Sequence, residues 1–375
     1  FTLPFTVITL IASFATQGFK VLKYKIFVNQ IINPAVLLVS MIASYLIFGP
    51  KIAILIPTFL SAFIGMIFIL FFLKKFIALD LKKFISTPFN TKILKFSIPL
   101  MFVSAIGIIM HWTDILMLGI FSDASAVGKY HPIERTAGLI RMILFAFAGI
   151  FAPLFSQYFH ENNSEKMKEI YQLSTKWIFV GCLPLFIFLM LFSNPMLMLF
   201  GNEFDNGLAL KILSVGIMIQ AFFGLGSSSL TMSGFSNINL LNVLAALTIN
   251  IIMNIILIPQ YGIIGAASAT TIALFFISFL RFFENYYILN LNVFSSKLFK
   301  PLLSGFLTVL TIFLLQRYVL NLLDYSSSLL NLILYLLVGI SLIFIGYFSF
   351  YALLGIDKED KDMIDSLKHK ISNQA

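Results

Sequence analysis

The chain is built from apolar runs long enough to cross a lipid bilayer. Eleven runs stand out, at 1–19, 28–48, 52–73, 94–120, 132–158, 176–199, 208–232, 238–258, 263–288, 301–320 and 329–354. About 20 apolar residues in a helix cross a hydrocarbon core of roughly 30 Å. Inside that core each backbone N–H and C=O must be satisfied within the protein, which leaves helices or closed barrels. Barrel strands are short and alternate in polarity, and these runs are long and continuous. The fold class is therefore all-α, a polytopic transmembrane helical protein. Composition agrees: 59% of residues are hydrophobic and 11% charged, against about 45–50% and about 25% in soluble domains. The formal charge of +9 follows from lysines at the ends of the spans and is not a nucleic-acid footprint. A single cysteine, Cys182, excludes an internal disulfide.

Lysine placement orients the chain, because positive residues collect on the cytoplasmic side. With the N-terminus outside, eighteen lysines fall on the inner face and three, Lys51, Lys129 and Lys211, on the outer. The C-terminal tail, 357–375, is then cytoplasmic and reads as a short amphipathic or disordered end. The chain begins FTLPFTVITL, inside an apolar run and without a signal sequence. An odd number of spans with an outside N-terminus points to an N-terminal truncation. Three missing helices would give fourteen.

The outer loops are short, and neither side carries a soluble domain. No GxxxxGK[ST] loop is present. His111, His131, His160 and His369 have no metal-ligand spacing. The chain reads as a conduit and not an enzyme, with no catalytic residue, metal or cofactor expected. What remains is a small set of polar groups inside spans, where an ionisable residue is costly and expected to have a partner. Asp114, in HWTDILMLG, sits about 9 Å from the outer end of its span at about 1.5 Å per residue. Its expected partner is Arg135 or a neighbouring helix; ion coupling is the other reading. In HPIERTAGLIR, Pro132 suits a first helical turn. Glu134 and Arg141 follow, seven residues apart on one face. Arg141, too deep to snorkel easily, either forms an ion pair or lines a water-filled cavity that receives an anion. Arg281 and Glu284, three apart, can pair on one helix as an interfacial, snorkelling pair. Arg317 reads as an outer anchor. Asn250 and Asn254, four apart, either glue two helices or line a polar path.

Two stretches carry a resemblance. INIIMNIILIPQYGIIGAASATTIA (249–273) contains Asn250, Asn254, Leu257-Ile258-Pro259, Tyr261-Gly262 and Gly265-Ala266-Ala267. FSIPLMFVSAIGIIMHWTDILMLGIFSDASAVGKY (96–130) contains Pro99, Asp114, Leu118-Gly119, Val127-Gly128 and Tyr130. A third, APLFSQYF (152–159), looks like the inner end of an eighth helix. Together these resemble the bacterial polysaccharide biosynthesis exporters. These are the O-antigen and teichoic-acid flippases of the multidrug/oligosaccharidyl-lipid/polysaccharide exporter superfamily. One departure is HPIER, where the family usually has an alanine near the start of the eighth helix.

The resemblance implies a two-bundle, MATE-like architecture with about eleven of a probable fourteen helices present. Residues 1–92 would hold helices four to six, 93–290 a C-terminal six-helix bundle, 291–356 two additional helices, and 357–375 the tail. It implies a transporter that flips lipid-linked, polyprenyl-pyrophosphate oligosaccharide across the bacterial plasma membrane by alternating access. Arg141 would meet the phosphates in a cationic cavity between the bundles. Expected partners are the lipid-linked oligosaccharide, membrane lipids, and a polysaccharide polymerase and glycosyltransferases. A MATE-type drug or cation antiporter is the first alternative. A deep arginine argues against it. A membrane polymerase or ligase is the second, and it lacks the catalytic outer loops such enzymes need.

Overall fold

A computed structural model describes residues 2–19, 21–49, 55–77, 91–318, 328–355 and 357. Among them, nine helical stretches are long and apolar enough to cross a membrane. One of the nine, Ser236–Leu289, runs for 54 residues and breaks in its middle, so it holds two spans. A shorter apolar helix, Leu3–Gly18, brings the total to the expected eleven. Much of the surface is large and apolar: Leu46, Phe313, Ile120 and Tyr287 are all well exposed. Such a surface suits lipid. This is a multi-pass, all-helical membrane protein.

The chain divides into two compact units, Phe1–Ile93 with Ala152–Gln157, and Leu94–Phe151 with Tyr158–Ala375. The first holds α1 (Leu3–Gly18), α2 (22–48) and α3 (Leu55–Leu73). A wider π-helical turn, Phe27–Ile32, interrupts α2 just before Pro34. Proline lacks an N–H and its ring crowds the carbonyl four residues back; a π turn relieves that crowding without ending the helix. Ala12, Val28, Ile69 and Leu73 form the core of this unit. Asn29 Nδ2 donates to Ser13 Oγ at 3.0 Å, tying α2 to α1.

The second unit holds α4 (Thr91–Phe121) from Leu94 on, α5 (Ala124–His160) apart from Ala152–Gln157, α6 (Ser164–Leu191), α7 (Gly207–Met232), α8 (236–261), α9 (263–289), α10 (Phe299–Tyr318) and α11 (Leu329–Leu353). Two helices start earlier than the sequence suggests. Helix α5 begins at Ala124, where the Asp123 carboxylate accepts from the Ala126 N–H at 2.7 Å. Pro132 therefore lies two turns inside, and depth along α5 no longer counts from it. Helix α6 begins at Ser164, capped by Asn163, whose Oδ1 accepts from the Lys166 N–H at 3.1 Å. The polar stretch ahead of the 176–199 run, which the sequence alone gives as a loop between spans, forms its first turns. Helix α6 ends at Leu191 and gives way to a short helix, Ser193–Met198.

The expected Tyr261-Gly262 turn is present. Gly262 takes φ 54°, ψ −125°, a left-handed backbone that glycine adopts without strain. Three residues on, a Cβ on Gly265 would lie 2.2 Å from the Leu257 carbonyl oxygen. Glycine alone lets α9 start so close to the end of α8. This turn sets the register in which α8 and α9 face α4. The side chain of Arg317 and the tail beyond 357 lie outside the described residues, as do Lys20, Lys51, Lys82 and Lys83.

Candidate functional site

Asp114 on α4 is 4% exposed and sits among helices of the second unit. Four uncharged groups donate to it. Asn254 Nδ2 and Asn250 Nδ2, from α8, reach Oδ1 at 2.8 and 3.1 Å. Tyr130 Oη, from α5, reaches Oδ2 at 3.0 Å, and Thr270 Oγ1, from α9, binds the same oxygen. The spacing explains the geometry: Asn250 and Asn254 lie one turn apart and present both amides to one side. Asn254 also donates to Asn250 Oδ1 at 3.2 Å. Of the two expected partners, the neighbouring helices are the ones that bind Asp114. Arg135 is not among them, because it follows Glu134 by one residue and so points about 100° around the helix. It lines a neighbouring hollow with Gly138, Leu139 and Met142, which His111, Glu134 and Arg141 also border.

Beside this cluster lies an open cleft of about 510 Å³. Its polar lining includes His111, Asp114, Tyr130, Glu134, Arg141, Gln220 and Arg281; Trp112, Phe145, Val243 and Ile277 add apolar walls. Glu134 and Arg141 do share it, as one helix face predicts. They do not pair directly: Glu134 Oε1 meets His111 Nδ1 at 3.0 Å, and Arg141 Nε donates to Gln220 Oε1 at 3.2 Å. The second Glu134 oxygen is buried without a hydrogen-bond partner.

Arg281 and Glu284 take different partners instead of each other. Arg281 Nη2 donates to Asn239 Oδ1 at 2.9 Å, while Glu284 accepts from Asn242 Nδ2. Arg281 is 8% exposed, so it does not snorkel to an interface. Two asparagines on α8, three residues apart, take the hydrogen bonds, while the two charges still act on each other. Sequence reasoning missed Tyr130 and Thr270 as partners of Asp114, and it missed His111, Gln220, Asn239 and Asn242. Tyr130 was quoted only as a motif residue. Gln220 had a visible signal, a lone amide within an apolar run.

Among the described residues no group of three or more His, Cys, Asp or Glu is placed to hold a metal ion. The cleft instead offers two guanidiniums and an imidazole–carboxylate pair to a ligand of its size. The Asp114 cluster offers one buried carboxylate to a proton or a small cation.

The polysaccharide biosynthesis protein family model matches residues 1–159, and the MatE model matches residues 99–256. Together the two matches span residues 1–256, and this stretch is similar to the multidrug/oligosaccharidyl-lipid/polysaccharide exporters. The chain's similarity to this exporter superfamily extends to named proteins. It is 31% identical over 221 residues to the capsular polysaccharide biosynthesis protein CapF of Staphylococcus aureus, 53% of each chain. It is 28% identical over 174 residues to the "Probable low-salt glycan biosynthesis flippase Agl15" of Haloferax volcanii, 46% of this chain and 37% of that one. The chain thus spans roughly a third to a half of the length of these two relatives. Among solved structures, the lipid II flippase MurJ in an inward closed conformation shares this chain's fold. It has a TM-score of 0.60 at 17% identity, covering 94% of this chain and 73% of that one.

Proposed function

We propose that the whole protein flips a lipid-linked, diphosphate-bearing oligosaccharide across the plasma membrane by alternating access. The observation that carries this reading is the placing of Arg141. It lines the cleft and is bound through Nε to a neutral glutamine, while the nearest carboxylate on its own face is held by His111. A guanidinium with no carboxylate in hydrogen-bonding contact is expensive in a membrane protein, and an anion relieves that cost. Guanidinium also matches phosphate geometry through paired N–H donors. Arg281 adds a second positive charge to the same cleft. A drug-cation antiporter needs the opposite balance. The substrate would come from glycosyltransferases and pass to a polymerase, with the lysine-rich helix ends on the cytoplasmic face.

Asp114 is the candidate coupling group. Its four hydrogen-bond donors are neutral, and Asn254 Oδ1 beside it is buried without a partner. A carboxylate held only by neutral donors can take up a proton or a monovalent cation and return it. A carboxylate already neutralised by arginine cannot.

The test is glycan export in a flippase-null strain carrying the full-length gene. Arg141→Ala should cut export by about tenfold or more, consistent with losing a charge-assisted contact worth about 1.5–3 kcal/mol. Wild-type export from Arg141→Ala protein present at wild-type level would reject the reading.

A further inference from the structure

His111 is the charged-capable group in the cleft that neither proposed role uses. It faces Glu134 across the α4–α5 contact with Nδ1 3.0 Å from Oε1. The imidazole is 33% exposed and the carboxylate 13%, so a proton can reach the histidine while the glutamate stays sheltered. Glu134 has a second oxygen that is buried and unpartnered. A buried carboxylate oxygen in that condition is costly, so Glu134 is poised between two sources of positive charge. One is His111. The other is Arg141, two turns further along the same face, whose charge acts on Glu134. The remaining charged and titratable groups around the pair are Asp114 on α4, Tyr130 and Arg135 on α5, and Arg281 on α9. Helix α7 presents neutral Gln220 and α8 presents apolar Val243. Asp114 and Tyr130 are bound to each other, which leaves Arg141 and Arg281 as the cations that an incoming anion meets.

We propose that His111 and Glu134 form a proton-operated counter-ion switch for the anion site. The inference rests on the reading of Arg141 as that site. With a proton on His111, Glu134 is held and neutralised by the imidazolium, and Arg141 is free for the anion. Without that proton, the Glu134 charge competes for Arg141 and repels the anion. Histidine is the side chain whose charge ordinarily changes between about pH 5 and 8. Linkage makes the effect reciprocal: the anion strengthens proton binding by the same factor that the proton strengthens anion binding. The substrate is therefore loaded together with a proton and released together with it. His111 is a positioning residue in this scheme and does not touch the substrate.

The test uses the full-length protein in lipid nanodiscs and geranylgeranyl diphosphate as the probe, a diphosphate on an isoprenoid tail. Affinity is measured at about pH 5.5 and about pH 7.5 for wild type, His111→Gln, Glu134→Gln and Arg141→Ala. Comparing proteins at one pH cancels the probe's own titration. Wild type should bind about fivefold tighter than His111→Gln at the lower pH, the modest end of coupling between linked sites, and equally at the higher. Glu134→Gln should bind about fivefold tighter than wild type at the higher pH, with the gap closing at the lower. A ratio of wild type to His111→Gln that is the same at both pH values overturns the switch. So does a Glu134→Gln protein that tracks wild type at both. Loss of probe binding in Arg141→Ala alongside either result rejects the switch alone. Undiminished binding in Arg141→Ala rejects the anion site and the switch with it.

Discussion

A single carboxylate, Asp114, carries much of the chemistry of the second unit. Charges in apolar helices are expensive, and this one is kept by four neutral donors from three helices. Its sequence surroundings disclosed part of that arrangement. The Asn250/Asn254 spacing puts two amides on one face, and they do converge on Asp114. Tyr130 and Thr270 could not be assigned, because neither spacing nor polarity says which of two adjacent helices a lone hydroxyl will face. Arg135 failed as a partner for a reason that periodicity does supply, since neighbours in sequence diverge by about 100° on a helix. Replacing Asp114 with Asn keeps size, removes the charge and turns one of its two acceptor oxygens into a donor. In proteoliposomes with an imposed proton or sodium gradient, Asp114→Asn should lose gradient-driven flipping by about tenfold or more, the scale of about 1.4 kcal/mol. A gradient response equal to wild type would remove Asp114 from the coupling role.

Elements were legible where a run was purely apolar and less so where polarity changed along one helix. The start of α6 is the clearest case. Its first turns carry Glu165, Lys166, Lys168 and Glu169 and read as a loop, yet Asn163 caps them into the same helix. Helix α5 hid its start behind Pro132, because proline at an entry and proline two turns in look alike without the upstream Asp123 cap. One tertiary clamp was not foreseeable from spacing. Lys176, 0% exposed on α6, meets Asp357 Oδ2 at 2.6 Å, and Lys300 at the start of α10 binds the other oxygen and the Gly355 carbonyl. Three segments, 181 residues apart at most, are thereby joined. Partial burial pushes the Asp357 carboxyl upward, but the hydrogen bonds and charges of the two lysines outweigh it and hold the group below the usual carboxylate range. A lowered value in the folded protein means that the clamp is at full strength above about pH 4. It is lost as pH falls through the lowered value. Asp357→Asn should destabilise the protein by about 1–3 kcal/mol, seen as a lower unfolding midpoint in detergent at neutral pH, and the difference from wild type should vanish in strong acid. An unchanged midpoint at neutral pH would mean the clamp contributes nothing.

At the scale of the whole molecule, the number and order of spans came from length and apolarity alone, since lipid leaves a chain few other solutions. The cleft did not. Its polar lining comes from α4, α5, α7 and α9, residues up to 177 positions apart by number, Ser104 to Arg281. Only packing brings them to one wall. Glu134 and Arg141 were correctly placed together by helix periodicity, but their partners His111 and Gln220 were not. The cleft's charge follows from those partners: Glu134 is held, and Arg141 is left available. On the proposed reading this guanidinium receives the diphosphate of a lipid-linked substrate. The most direct measurement is flipping of a fluorescent polyprenyl-diphosphate oligosaccharide by purified full-length protein in proteoliposomes, comparing wild type with Arg141→Ala and Arg141→Lys. The account predicts loss of flipping by about tenfold or more in Arg141→Ala and partial recovery in Arg141→Lys, which restores charge but not the paired donors. Equal flipping by wild type and Arg141→Ala would contradict it.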